Sequence, residues 1–284
     1  MMSIHRVGVV GCGLMGAGIA QVCAQAGYQT LVSEVNEELL KKGMKAVRTS
    51  LERGLARGRI LKRDQETVLR QLKGTTNIED LRDSDLVIES IVENLGEKKK
   101  LFKALDGLCP PHTILATNTS CLSVTEMAIS TGRPEKVIGA HFFNPVPVMT
   151  LLEIVTTSFT SEETVGGLKE FGESVGKSVV LARDDPGFIV NRLLGPFLLD
   201  AIRLLESGVA TKEDIDTSMA LGANHPMGPL RLADFIGLDT VLFIAESMYE
   251  ELKDRKFAPP LMLKRMVTAR RLGRKTGEGF YVYE

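Results

Sequence analysis

Only four histidines occur, His5, His112, His141 and His225, so proton transfer near neutral pH has few candidates. His141 is the best placed. It follows the apolar run Val137-Ile138-Gly139-Ala140, and ligands bind beyond the carboxyl ends of strands in open sheets flanked by helices. After the proline-stiffened segment Asn144-Pro145-Val146-Pro147, Glu153 sits inside the apolar run Leu151 to Val155. A carboxylate there is costly to bury without a partner, and His141 is the obvious one. Such a carboxylate fixes the imidazole tautomer and raises the basicity of the other ring nitrogen, which then takes a hydroxyl proton as a hydride leaves. General base catalysis of this kind contributes about a hundred- to ten-thousand-fold. Spacing alone leaves a second reading open, with a structural histidine and with Glu153 pointing outward from an edge strand.

The segment Gly11-Cys12-Gly13-Leu14-Met15-Gly16 lies between the β-branched run Val7 to Val10 and a helical pattern from Leu14 to Ala26 that stops at Gly27. In such a turn the first glycine permits the tight bend, the second lets backbone approach a pyrophosphate, and the third lets helix and strand pack closely. The amides of Leu14, Met15 and Gly16, at the helix start, face the anion. The next strand, Tyr28 to Ser33, ends at Glu34, about 20 residues on, where an acid hydrogen-bonds a ribose. A carboxylate there repels a 2′-phosphate, and neither Val35 nor Asn36 is an arginine that could receive one. NAD is therefore favoured over NADP. The alternative for Glu34 is an exposed charge opening the next helix.

The elements that must position these groups alternate. Short apolar runs at Leu86 to Ile88, Thr113 to Thr117, Val137 to Phe143 and Ser178 to Ala182 are separated by helical stretches. That pattern predicts α/β architecture: a doubly wound, Rossmann-type parallel sheet covered by helices on both faces. Residues 41 to 73 read as a basic helical excursion between strands. The charged, proline- and glycine-containing stretch Arg183 to Gly187 marks a boundary, predicting domains at 1–185 and 186–284. Beyond it, helical spacing over 188–206, 211–221, 237–252 and 260–271 predicts an all-helical C-terminal domain, with a strand only in the last few residues.

Composition narrows the classes. With 284 residues, 44% hydrophobic and 25% charged, the chain has the makeup of an ordinary globular protein. A net charge of −1 offers no global attraction to nucleic acid or an anionic membrane. No uncharged apolar run approaches the roughly 18 residues of a membrane span. The start, Met1 to Arg6, lacks the pattern of an export signal. The four cysteines, Cys12, Cys23, Cys109 and Cys121, form no CxxC pair or metal-like cluster, so no metal is expected and a reducing, cytoplasmic setting fits.

Together, Gly11 to Gly16, Asn118-Thr119-Ser120, His141-Phe142-Phe143-Asn144-Pro145, Asp185 to Arg192, Gly222 to Pro229 and Gly273 to Tyr281 carry a resemblance. Along nearly its whole length the chain resembles the 3-hydroxyacyl-CoA dehydrogenase family, closest to its stand-alone short-chain members. The resemblance implies reversible oxidation of an (S)-3-hydroxyacyl-CoA to the 3-oxoacyl-CoA, with acetoacetyl-CoA as the expected short product. It implies His141 as acid/base, Glu153 as its orienting group, and Ser120 and Asn191 as substrate contacts near the reacting carbon, supported by Asn144. It further implies that Glu93, Lys98, Asn118 and Asn144 lie toward the cofactor, that Ser50 and Arg57 help hold coenzyme A, and that the helical domain forms a homodimer. Bland alternatives remain: Ser120 as cap of a helix beginning near Ser123, Asn191 as an interfacial polar residue, and Arg57 on a solvated basic face. The family usually has aspartate where Glu34 stands, and serine where Cys121 stands. The rival functions are a dehydrogenase of small free hydroxy acids and a non-catalytic nucleotide-binding protein of the same fold.

Overall fold

A computed structural model describes residues 4–283, so part of the Met1 to Arg6 start lies outside the described residues. The chain divides into two compact units, Met1–Asp185 and Pro186–Glu284. In the first, β1 (Arg6–Val10) leads into α1 (Leu14–Gln25), whose small residues Ala17, Gly18, Ala20 and Ala24 are buried. A methyl added at Gly18 would stand 2.9 Å from the Val146 side chain, which shows how closely this helix is packed. Gly27, at φ +96°, takes the left-handed turn that ends the helical segment. β2 (Gln29–Ser33) then pairs parallel with β1.

The basic excursion is two helices, α2 (Glu37–Ala56) and α3 (Lys62–Gln71), closed by a strand the periodicity did not reveal, β3 (Leu72–Thr75). The remaining elements are β4 (Leu86–Glu89), α4 (Leu95–Leu108), β5 (Ile114–Thr117), α5 (Val124–Ala128), β6 (Val137–Phe142), β7 (Leu151–Thr156), α6 (Glu162–Ser174) and β8 (Ser178–Arg183). Eight strands form one sheet in the order β3-β2-β1-β4-β5-β6-β7-β8. This is the doubly wound arrangement, with its switch point between β1 and β4. One expectation needs correcting: the sheet is not wholly parallel, because β7 runs antiparallel to β6 and β8 runs parallel to β7. An eight-residue connection from β6 to β7 is too short for a helical crossover, so the chain must turn back on itself. Nor is β7 an edge strand, since β8 covers its other side.

The second unit holds α7 (Val190–Glu206), α8 (Lys212–Gly222), α9 (Pro229–Ile236), α10 (Leu238–Leu252) and α11 (Leu261–Thr268). Its core gathers Leu198, Leu199, Ile202, Ile215, Leu230, Leu238, Val241, Leu263 and Phe280. The strand expected at the C-terminus is absent among the described residues, where only the isolated bridges Gly273 to Glu278 and Glu278 to Val282 form. Two buried carboxylates organise this tail instead. Asp234 accepts the amides of Phe280 and Tyr281 and the hydroxyl of Tyr283, each at 2.9 Å. Asp216, on α8, accepts the amides of Leu230 at 2.8 Å and Arg231 at 3.1 Å, capping α9 from outside because its own N-cap residue, Gly228, has no side chain. No described helix is long and apolar enough to cross a membrane.

Candidate active site

The cofactor edge is built at the carboxyl end of β1. Gly11 has φ +95°, and an added Cβ would stand 2.5 Å from the Ser90 carbonyl oxygen. At Gly16 the added atom would meet the Gly11 oxygen at 1.9 Å, so the helix can approach the turn only without a side chain. Gly13 has nothing within 4 Å of where a Cβ would be, which leaves its backbone open to a ligand. Gly13 opens α1 without a side-chain cap, and the first turn carries no acidic residue. Its unpaired amides and the helix dipole therefore suit an anion. Glu34 stands alongside: Oε2 accepts the Cys12 amide and Oε1 the Val35 amide, both at 2.8 Å. Burial, then the Glu34 charge, pushes the Cys12 thiol up to about 11, so it is not a nucleophile at neutral pH. Open glycine backbone, free amides and an adjacent carboxylate together fit a pyrophosphate and a ribose.

His141 and Glu153 are register partners across β6 and β7. Directly opposed residues of an antiparallel pair share one face of the sheet, so side chains 12 positions apart in sequence become neighbours. Nδ1 lies 2.7 Å from Glu153 Oε2, and both side chains are almost fully buried, at 5% and 0% exposure. With Glu153 as carboxylate, Nδ1 carries the hydrogen and donates it, leaving Nε2 as the unprotonated nitrogen. The Phe143 ring, tilted 51° with its centroid 4.5 Å away, packs against the imidazole.

Around this pair the strand ends are tied together. Asn118 Oδ1 accepts the Phe142 amide at 2.9 Å, linking the ends of β5 and β6 beside His141. Glu93 Oε1 accepts the Ser120 amide at 3.0 Å and the Thr119 hydroxyl, while Oε2 lies 3.0 Å from Lys98 Nζ. Lys98 is buried, not on a charged helix face, and also pairs with Glu89 at 2.5 Å. Ser120 does not cap α5: Ser123 does, accepting the Glu126 amide at 3.2 Å. Asn144 is the second residue of the β6–β7 connection, which Lys177 holds by donating to the Val146 and Met149 carbonyls at 2.6 and 2.7 Å. Burial holds the Lys177 ammonium below its usual range.

Sequence reasoning missed Glu89, Thr117, Thr119 and Lys177. Glu89 had a signal, since it ends the apolar run Leu86-Val87-Ile88 as Glu153 interrupts another. Ser50 lies on α2 and Arg57 is its exposed C-cap residue, one position beyond the last helical residue. Asn191 belongs to the second unit, in the first turn of α7.

A doubly wound sheet with an open glycine turn at its switch point, and an imidazole–carboxylate pair at its carboxyl edge, belongs with a match to an NAD binding domain, and together they define the class: an NAD-dependent oxidoreductase. Residues 6–185 match the NAD binding domain of 3-hydroxyacyl-CoA dehydrogenase, and residues 187–283 match its C-terminal domain. The chain is 47% identical over 283 residues, 99% of each chain, to a 3-hydroxybutyryl-CoA dehydrogenase of Mycobacterium tuberculosis. It is 45% identical over 289 residues to the mitochondrial hydroxyacyl-coenzyme A dehydrogenase of Homo sapiens, covering 99% of this chain and 92% of that one. A crystal structure of an (S)-3-hydroxybutyryl-CoA dehydrogenase from Ralstonia eutropha matches with a TM-score of 0.94 at 42% identity, over 99% of this chain and 100% of that one. The chain belongs to the 3-hydroxyacyl-CoA dehydrogenase family.

Proposed function

We propose that this protein interconverts (S)-3-hydroxybutyryl-CoA and acetoacetyl-CoA, with His141 as the acid/base. The observation that carries the reading is the buried His141 Nδ1 to Glu153 Oε2 contact of 2.7 Å at the carboxyl edge of the sheet. NAD, which the Gly11 to Gly16 turn and Glu34 would hold, would supply the acceptor for the hydride of the hydroxyl-bearing carbon. His141 Nε2 takes the hydroxyl proton as that hydride leaves, so one two-electron oxidation releases one proton to the imidazole. Glu153 holds the ring in the tautomer that can accept, and stabilises the imidazolium that forms. In the reverse direction the imidazolium returns the proton to the carbonyl oxygen.

In this reading Ser120 and Asn191 hold the substrate around its reacting carbon, and Asn144 supports the site. Glu34 binds the ribose, and Glu93 lies toward the cofactor with Lys98 paired to it. Ser50 and Arg57 contribute to coenzyme A binding, where an exposed guanidinium suits phosphate. The helical unit is assigned to substrate binding and homodimer formation. Four buried cysteines, none of them in a disulfide among the described residues, suit the reducing cytoplasm.

The test follows NADH oxidation with acetoacetyl-CoA, with free acetoacetate as control. Activity with the thioester and not with the free acid supports the reading. Equal activity with both moves the protein to the dehydrogenases of small hydroxy acids, and NADH binding without any turnover makes it a non-catalytic nucleotide binder.

A further inference from the structure

Glu89 is the last residue of β4 and is fully buried at the switch point, in register with Val10 of β1 and Thr117 of β5. Its oxygens are committed on all sides. Oε1 accepts from Lys98 Nζ at 2.5 Å and from the Ile91 amide at 2.7 Å, while Oε2 accepts the Thr117 hydroxyl at 2.7 Å. Lys98, 1% exposed, bridges it to Glu93, whose other oxygen holds the Thr119 hydroxyl and the Ser120 amide. One cation between two carboxylates thus connects the sheet interior to the Ser120 loop. Burying such a triad costs desolvation that well-packed apolar side chains would avoid, so it makes a poor device for stability alone.

We propose that Glu89 is a positioning residue for hydride transfer. Its charge anchors Lys98, the anchored ammonium fixes Glu93, and Glu93 sets the Thr119-Ser120 backbone. Without that charge Lys98 has Glu93 as its one remaining ionised partner among these groups, and it draws the carboxylate away from the loop. The proposal rests on the reading above that Ser120 meets the substrate and Glu93 lies toward the cofactor.

The test compares wild type, Glu89→Gln, Lys98→Met and the double variant, using acetoacetyl-CoA with NADH and with NADH deuterated at the transferred position. Misplacement of reacting groups by a distant change costs up to about a hundredfold, so kcat for Glu89→Gln should fall by about 10- to 100-fold. The deuterium isotope effect on kcat should rise, because hydride transfer becomes limiting, while the NADH Kd changes far less. A loss of folded protein alone would leave the isotope effect unchanged. In the Lys98→Met background Glu89→Gln should cost nothing further, since both act through one relay. If Glu89→Gln does not fold, Thr117→Val, which removes only the hydroxyl on Oε2, should show the same change to a smaller degree. A folded Glu89→Gln enzyme with wild-type kcat and isotope effect overturns the proposal, as does an equal loss with and without Lys98. If His141→Ala abolishes turnover while Glu89→Gln does not lower it, the relay fails and the functional reading stands; a wild type inactive on acetoacetyl-CoA overturns both.

Discussion

His141 and Glu153 meet across the seam where the sheet changes from parallel to antiparallel, Nδ1 2.7 Å from Oε2 and both side chains out of solvent. The contact needs both the register and the reversal: had β7 joined parallel or slipped by one residue, Glu153 would face another partner or the opposite side of the sheet. Replacing Glu153 with Gln keeps the volume and removes the charge that favours imidazolium. We expect kcat to fall by about a hundredfold or more with NADH affinity unchanged. Adding His141→Ala to this variant should cost little beyond His141→Ala alone, because the two act as a unit. Unchanged kcat in a folded Glu153→Gln protein would show that the carboxylate has no part in proton transfer.

Glu34 lies against the glycine turn, its oxygens on the Cys12 and Val35 amides. A hydrogen bond to a charged group contributes about 1.5–3 kcal/mol, so Glu34→Ala should weaken NADH binding by roughly ten- to a hundredfold. Discrimination against NADPH should shrink at the same time, because the carboxylate repels a 2′-phosphate. Titration of each cofactor by calorimetry reads both effects.

In the helical unit, Asp234 is 1% exposed and ties down the C-terminal tail. Burial, and then the Asp234 hydrogen bond and charge, raise the Tyr283 phenol to about 12. A raised phenol adds stability that is full below its ordinary pKa of about 10 and is lost as pH rises through about 12. Asp234→Asn turns an amide toward groups that need an acceptor and should destabilise the fold by on the order of 3 kcal/mol. Urea unfolding checks the stability. Ultraviolet titration should show Tyr283 ionising at lower pH in the variant.

How far the sequence foretold this arrangement depended on whether the signal was local. The turn from Val7 to Glu34 was legible because each residue's role is decided by its neighbours: β-branched strand, glycines at the bend, apolar helix, glycine stop. The His141 and Glu153 types were legible as a pair, yet their contact depends on where the chain turns within 143–150, which periodicity does not set. Helix α9 was hidden because its cap, Asp216, comes from another helix, so no side chain beside Gly228-Pro229 marks its start. A strand was expected in the last few residues, but close approach to Asp234 shapes the tail instead: a Cβ on Gly279 would fall 2.0 Å from Asp234 Oδ1 and one on Gly273 2.2 Å from the Asp234 carbonyl oxygen. The resemblance put Lys98 toward the cofactor, but nothing local shows that Glu89 and Glu93 enclose it.

The central claim is that the His141 imidazole moves the proton that accompanies hydride transfer. It is tested most directly by single-turnover reduction of acetoacetyl-CoA by enzyme-bound NADH in wild type and His141→Ala. The account predicts that the variant binds NADH like wild type and loses about a hundred- to ten-thousand-fold in the rate of hydride transfer. A His141→Ala enzyme that transfers hydride at the wild-type rate would contradict it.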